Sequence, residues 1–175
     1  MEIKQFEDKN LAHYSYAIVS KGEVALIDPA RNPQPYYDFA KQNNATISTV
    51  IETHPHADFV SSHLEIHKTT GAIIYVSKLL GAEYAHQIFD EGNKISLGNI
   101  TLSALNTPGH SPDSISIVAI DENGKYFGIK GWPANNSFTK SSSLIFCKLQ
   151  LAIFSAPMVL VFATLKTLPH KLPAP

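Results

Sequence analysis

Two histidine groups dominate the chemistry this chain could perform. One is Thr53-His54-Pro55-His56-Ala57-Asp58; the other is Asn106-Thr107-Pro108-Gly109-His110-Ser111. Each follows directly on a segment that reads as a strand, and loops at strand ends are where ligands commonly converge in α/β architectures. An extended segment would point His54 and His56 apart, whereas a tight turn can fold both imidazoles onto one cation. Asp58 can coordinate through oxygen or hold a neighbouring imidazole in one tautomer. Pro55 and Pro108 stiffen the two loops. His63 and His67, four apart on an expected helix, could mimic a ligand pair, but solvent exposure, capping or packing is the commoner use of such residues. His13 reads as a turn or pocket-rim residue, and His86 and His170 carry no pattern. There is no GxSxG, phosphate-binding glycine loop or zinc-finger spacing. Cys147 is the single cysteine, in an apolar context, which excludes an intrachain disulfide framework and any multi-cysteine metal site.

The elements that must position these groups are mostly strands. Ala17–Ser20 and Val24–Ile27 flank Lys21-Gly22-Glu23 as a strand pair. Pro35–Gln42 is expected to be a helix, with Tyr36, Phe39 and Ala40 on its apolar face. Ile47–Ile51 and Ile73–Val76 read as strands, and Phe59–Lys68 and Ala82–Phe89 as helices. Ile95–Leu97 and Ile100–Leu105 pair across Gly98-Asn99, and Ile115–Ile120 pairs with Tyr126–Ile129 across Glu122-Asn123-Gly124. Helices placed between strand pairs fit an α+β arrangement with helices outside a β core.

The chain has 175 residues, of which 44% are hydrophobic and 17% charged, with a net charge of -1. That size suits one domain with a sizeable core, and the absence of a basic field argues against nucleic acid as a partner. The average hides an asymmetry. Residues 1–122 hold all fifteen acidic residues against eight basic ones, a formal charge of -7, whereas residues 123–175 hold six lysines and no Asp or Glu. The apolar run at 151–165 is short of the roughly 20 residues a membrane helix needs, and Pro157 interrupts it, so no membrane partner is expected. With no signal-peptide pattern at the start, a cytoplasmic location is the default expectation.

The sequence resembles the metallo-β-lactamase superfamily, and within it the branch of glyoxalase II and the persulfide dioxygenases that are often fused to rhodanese domains. The likeness rests on LAHYSYAIVS at 11–20, ALIDPA at 25–30, IETHPHADF at 51–59 and LNTPGHSPDS at 105–114, in the family's order and spacing. It implies an αββα sandwich with metal at the open edge of the sheets. It covers residues 1 to about 128, so the expected division is a family domain at 1–130, incomplete at its C-terminal end, and an atypical tail at 131–175, frame-shifted or disordered. The resemblance places metal ligands at His54, His56 and His110, with His56 nearer the outer sphere in the iron enzymes. It gives Asp58 the place of the motif aspartate, the candidate catalytic carboxylate. The family's next histidine is Phe59 here, which removes a nitrogen of the second metal of a two-metal hydrolase. A mononuclear Fe²⁺ enzyme with a small thiol substrate such as glutathione persulfide is therefore the leading expectation. The alternatives are a Zn²⁺-dependent glyoxalase II-like hydrolase or a non-catalytic truncated remnant. The family's later aspartate has no counterpart, because no acidic residue follows Glu122 and the corresponding strand reads KYFGIKGWPA at 125–134.

Overall fold

The computed structural model describes residues 1–11, 13–109, 111–130 and 139–141. Six strands form one sheet: β1 (Glu2–Asp8), β2 (His13–Ser20), β3 (Glu23–Ile27), β4 (Thr46–Ile51), β5 (Ile73–Val76) and β6 (Gln87–Ile88), in that spatial order. The first three are joined antiparallel; β3 to β6 run parallel. The two helices, α1 (Gln34–Gln42) and α2 (His63–Thr70), lie in the crossovers that parallel strands require. The second sheet is antiparallel, with β7 (Lys94–Leu97), β8 (Ile100–Asn106), β9 (Ile115–Ile120), β10 (Tyr126–Lys130) and β11 (Thr139–Ser141) in the order β11-β10-β9-β8-β7.

Strand alternation explains the layering. Ile18, Ala25, Ile27 and Ile51 point from the first sheet into a core shared with Leu97, Leu102, Ile117 and Phe127 of the second. Their neighbours Ala17, Val24, Leu26 and Val50 point the other way and pack on Tyr36 and Phe39 of α1 and Ile66 of α2. A strand buried on both faces needs apolar residues at consecutive positions, which is why AIVS and EVALI carry them. The described residues thus form a helix layer and two sheets. Among them, no helix is long and apolar enough to cross a membrane.

Three elements differ from the sequence reading. The helix expected at Phe59–Lys68 begins only at His63, because the residues before it are held elsewhere: Phe59 packs on His13 and His56, and Ser61 bonds to Glu52. The helix expected at Ala82–Phe89 is absent. A single 3₁₀ turn at Lys78–Leu80 leads instead to β6, and Phe89 donates its N–H to Val76 and is buried between the sheets. Strand β1 carries no sequence signal, since four of its seven side chains are exposed. The atypical tail expected at 131–175 lies outside the described residues except at Thr139–Ser141, which pair with β10.

The sheets are also latched at one end. The β7–β8 turn presses on the β2–β3 turn: Ser20 Oγ donates to Asn99 Oδ1 at 2.6 Å, and a Cβ on Gly98 would lie 2.5 Å from the Ser20 carbonyl oxygen. Gly98 also has φ +56°, where a side chain is strained. Gly98→Ala is therefore expected to destabilise the fold by about 1–3 kcal/mol, read as a lower urea midpoint. An unchanged midpoint would show that the latch yields freely.

Candidate metal centre

The site is built where β3 and β4 end side by side. Asp28 follows β3 with φ +50°, an uncommon conformation for a residue with a side chain, and is buried. This turns its carboxylate across to the end of β4. Asp28 N–H donates to the Ile51 carbonyl at 2.9 Å, while its Oδ1 accepts from Thr53 N–H and its Oδ2 from the Thr53 hydroxyl, both at 2.6 Å. Thr53 also accepts, through its carbonyl, the N–H of Ile115 at the start of β9. The loop that carries the histidines is thereby fastened to both sheets.

These bonds set the imidazole tautomers. The Thr53 hydroxyl gives its hydrogen to Asp28, so toward His54 Nδ1, 2.9 Å away, it can only accept. The proton of His54 then sits on Nδ1 and the lone pair on Nε2. His56 presents Nε2 to two carboxylates, Asp28 Oδ1 at 3.4 Å and Glu52 Oε2 at 3.7 Å, which keeps its proton on Nε2 and assigns metal binding to Nδ1. Asp28, His54 and His56 each offer a ligand atom within 4.8 Å of the others. With Asp28 committed to Thr53 and to His56, its part is to orient these groups.

Charge follows the same layout. Burial alone would lower the pKa of His56, but Asp28, with Glu52 and Asp58 behind it, outweighs burial and lifts it. Burial would raise Asp28, but His56, His54 and Thr53 hold it below the ordinary range. Glu52 is pushed up to about 8 by burial and then by the negative charge of Asp28. Burial lowers His13 and His63. A cation arriving at Nδ1 of His56 displaces the positive charge held there, so binding releases protons and weakens as pH falls.

The sequence-derived residues distribute as follows. His54 and His56 come together, with ring centroids 4.4 Å apart. Asp58 is exposed and outside the cluster, acting on His56 and His13 through charge. His110 lies outside the described residues; Gly109 and Ser111 flank it, in the loop between β8 and β9. His13 is buried at the start of β2 instead of in a surface turn: it is 7% exposed, and its ring lies 5.3 Å from His56 and 4.4 Å from Phe59. Sequence reasoning missed Asp28 and Glu52 as site residues. The ALIDPA motif contained the first, and adjacency to the Thr-His-Pro-His turn could have suggested the second. A cavity of 390 Å³ opens beside the histidines, with Glu52, His63, Phe59, Leu80 and Tyr84 in its wall.

The donor set fits a first-row divalent metal. His54 offers Nε2 and His56 Nδ1, and a buried carboxylate supports the pair through the outer nitrogen of His56. The match to known proteins agrees with this geometry. Residues 9–124 match the family model for the metallo-beta-lactamase superfamily, and the chain belongs to that superfamily and has its fold. Its relatives include hydroxyacylglutathione hydrolases of Haemophilus ducreyi, 26% identical over 61% of this chain and 45% of that protein, and of Idiomarina loihiensis, 28% identical over 65% and 44%. The chain therefore spans less than half the length of these relatives. Among solved structures it resembles a metallo-beta-lactamase from Staphylococcus aureus subsp. aureus COL, with 37% identity, TM-score 0.65, and coverage of 70% of this chain and 39% of that one. It also resembles ETHE1 from Myxococcus xanthus, with 28% identity, TM-score 0.64, and coverage of 68% and 54%.

The buried Glu52 gives a pH-dependent prediction for the metal-free chain. A carboxyl raised from 4.5 to about 8 on folding contributes stability that is complete below about 4.5 and is lost as pH rises through about 8. Glu52→Gln keeps an uncharged group at every pH. Its melting temperature relative to wild type is expected to be flat at the acid end and to climb between those two values. A difference independent of pH would show that folding leaves the Glu52 pKa unshifted.

Proposed function

We propose that this chain carries the metal-binding portion of a mononuclear iron persulfide dioxygenase whose substrate is a small thiol persulfide such as glutathione persulfide. The observation that supports this most is the placement of Phe59. Its ring packs 4.5 Å from His56 and 4.4 Å from His13, at the motif position where a two-metal hydrolase has another nitrogen ligand. A bridging hydroxide needs two cations, and a phenyl ring holds none. The glutathione in the names of the hydrolase relatives supports a glutathione-type carrier.

Iron at this centre would supply the redox chemistry by which glutathione persulfide, O₂ and water become glutathione and sulfite. The side chains do the rest. His54 and His56 would present nitrogens to the cation, His56 from the position that lies nearer the outer sphere in the iron enzymes the chain resembles, and His110 is the ligand carried over from the family motif. Asp28 and Glu52 keep the His56 proton on the outer nitrogen. Phe59, Leu80 and Tyr84 give the cavity an apolar wall beside the histidines, suited to a polarisable sulfur. Asp58, exposed and outside the cluster, is the motif aspartate to which the family resemblance gives the catalytic role.

A second reading, a zinc-dependent thioester hydrolase, is favoured by the hydroxyacylglutathione hydrolase relatives. The third is a remnant without turnover, since no acidic residue after Glu122 can supply the family's late aspartate. Oxygen uptake by the iron-loaded chain with glutathione persulfide separates these readings. The chain is expected to turn over little, and replacing residues 131–175 by a family-like C-terminal segment is expected to confer uptake that His110→Ala abolishes. Hydrolysis of S-lactoylglutathione by that fusion, without oxygen uptake, would contradict the proposal in favour of the hydrolase. Robust His110-dependent uptake by the unmodified chain would show that a carboxylate such as Asp58 already completes the site.

A further inference from the structure

Beside the buried Glu52 lies the half-buried His63, which neither the family's metal motif nor the proposed reaction uses. Glu52 is 5% exposed, and each of its oxygens faces a different imidazole. Oε2 lies 3.7 Å from His56 Nε2; Oε1 lies 3.5 Å from His63 Nδ1 and accepts the Ser61 hydroxyl at 2.6 Å. Ser61 Oγ in turn accepts the N–H of His63 at 3.3 Å, so the backbone of the first residue of α2 is linked to Glu52 through Ser61, while the His63 imidazole faces Oε1 without a hydrogen bond. Neither nitrogen of His63 has a hydrogen-bond partner among the described residues, and its ring lies 4.9 Å from that of Tyr84 in the cavity wall. The groups facing His63 are Glu52 and Ser61 from the end of β4 and the loop, His56 from the metal loop, and Tyr84 from the segment after the 3₁₀ turn.

We propose that His63 is a positioning residue: acting through Glu52, it fixes the ring of the metal ligand His56 and so links the cavity wall to the metal centre. Two acidic side chains then face one imidazole nitrogen for different purposes. Asp28, tied to Thr53, connects His56 to the ends of the strands. Glu52, tied to Ser61 and His63, connects it to α2 and to the wall that a ligand would touch. A carboxylate on the outer nitrogen orients a metal-binding imidazole and raises its basicity, and loss of such a partner typically costs 10–100-fold in affinity. The inference rests on the metal-centre reading but not on which reaction the centre performs.

Zinc affinity, measured by competition with a chromogenic chelator, tests it on the full chain. His63→Ala and Glu52→Gln are each expected to weaken zinc binding about tenfold. The double variant should be no weaker than Glu52→Gln alone, because one path is being cut twice. In the metal-free protein, His63→Ala should shift the ¹⁵N signals of the His56 ring while Glu52 is present, and leave them in place once the Glu52→Gln substitution has been made. A merely structural His63 would lower the melting temperature without this dependence on Glu52. Additive losses of affinity, a His63→Ala effect below about twofold, or a wild-type chain that takes up no zinc would each overturn the inference. Oxygen uptake is measured separately, so a chain that binds zinc with this coupling yet shows no dioxygenase turnover refutes the proposed reaction and leaves the pair in place.

Discussion

The site depends on one contact, the double hydrogen bond from Thr53 to the carboxylate of Asp28. Two parallel strands ending side by side leave their last backbone groups without ladder partners. Asp28 solves this for β3 and β4 by turning into the left-handed region and accepting from the neighbouring chain segment. A positive φ at a residue with a Cβ is unfavourable, and strain of this kind persists where surrounding contacts over-determine it. Here those contacts are the Thr53 bonds and the ion pair with His56. The same carboxylate that closes the strand ends selects which nitrogen of His54 and of His56 can meet a metal.

Phe59 then restricts the chemistry. The loop Pro55–Phe59 is drawn over the centre rather than into α2, and its last ring lies against two imidazoles. Position 59 of a two-metal hydrolase would offer a nitrogen; here it offers an apolar face that keeps water from one side of His56. The helix starts late for the same reason, since Phe59 and Ser61 make contacts toward the site instead of joining a turn of α2.

Much of this was legible in the sequence. Alternation and turn residues located β2, β3, the β7–β8 hairpin and the β9–β10 hairpin, because strands between two packed layers must carry apolar side chains at fixed spacing. The THPHAD turn identified His54 and His56, whose spacing on one tight loop is itself the geometric constraint. What was not legible depends on contacts far apart in the chain. Strand β1 is polar because it lies at a sheet edge. The Ala82–Phe89 stretch has a helix-like pattern that yields to pairing with β5 and to burial of Phe89 between the sheets. Glu52 and His63, eleven positions apart, meet only because α2 packs back on β4, and His13 reaches the site only because β2 lies beside β3.

A single cation held by the His54–His56 loop is the centre on which the proposed chemistry stands. The measurement that tests this most directly is metal content after anaerobic loading with Fe²⁺ and, separately, with Zn²⁺, for the wild-type chain and for a His54→Ala/His110→Ala variant. About one equivalent is expected in the wild type, lost in the variant, in keeping with a ligand set centred on histidine. Two equivalents in the wild type would contradict the role assigned to Phe59. Equal and negligible metal in both proteins would show that the loop holds no cation and that the centre is vestigial.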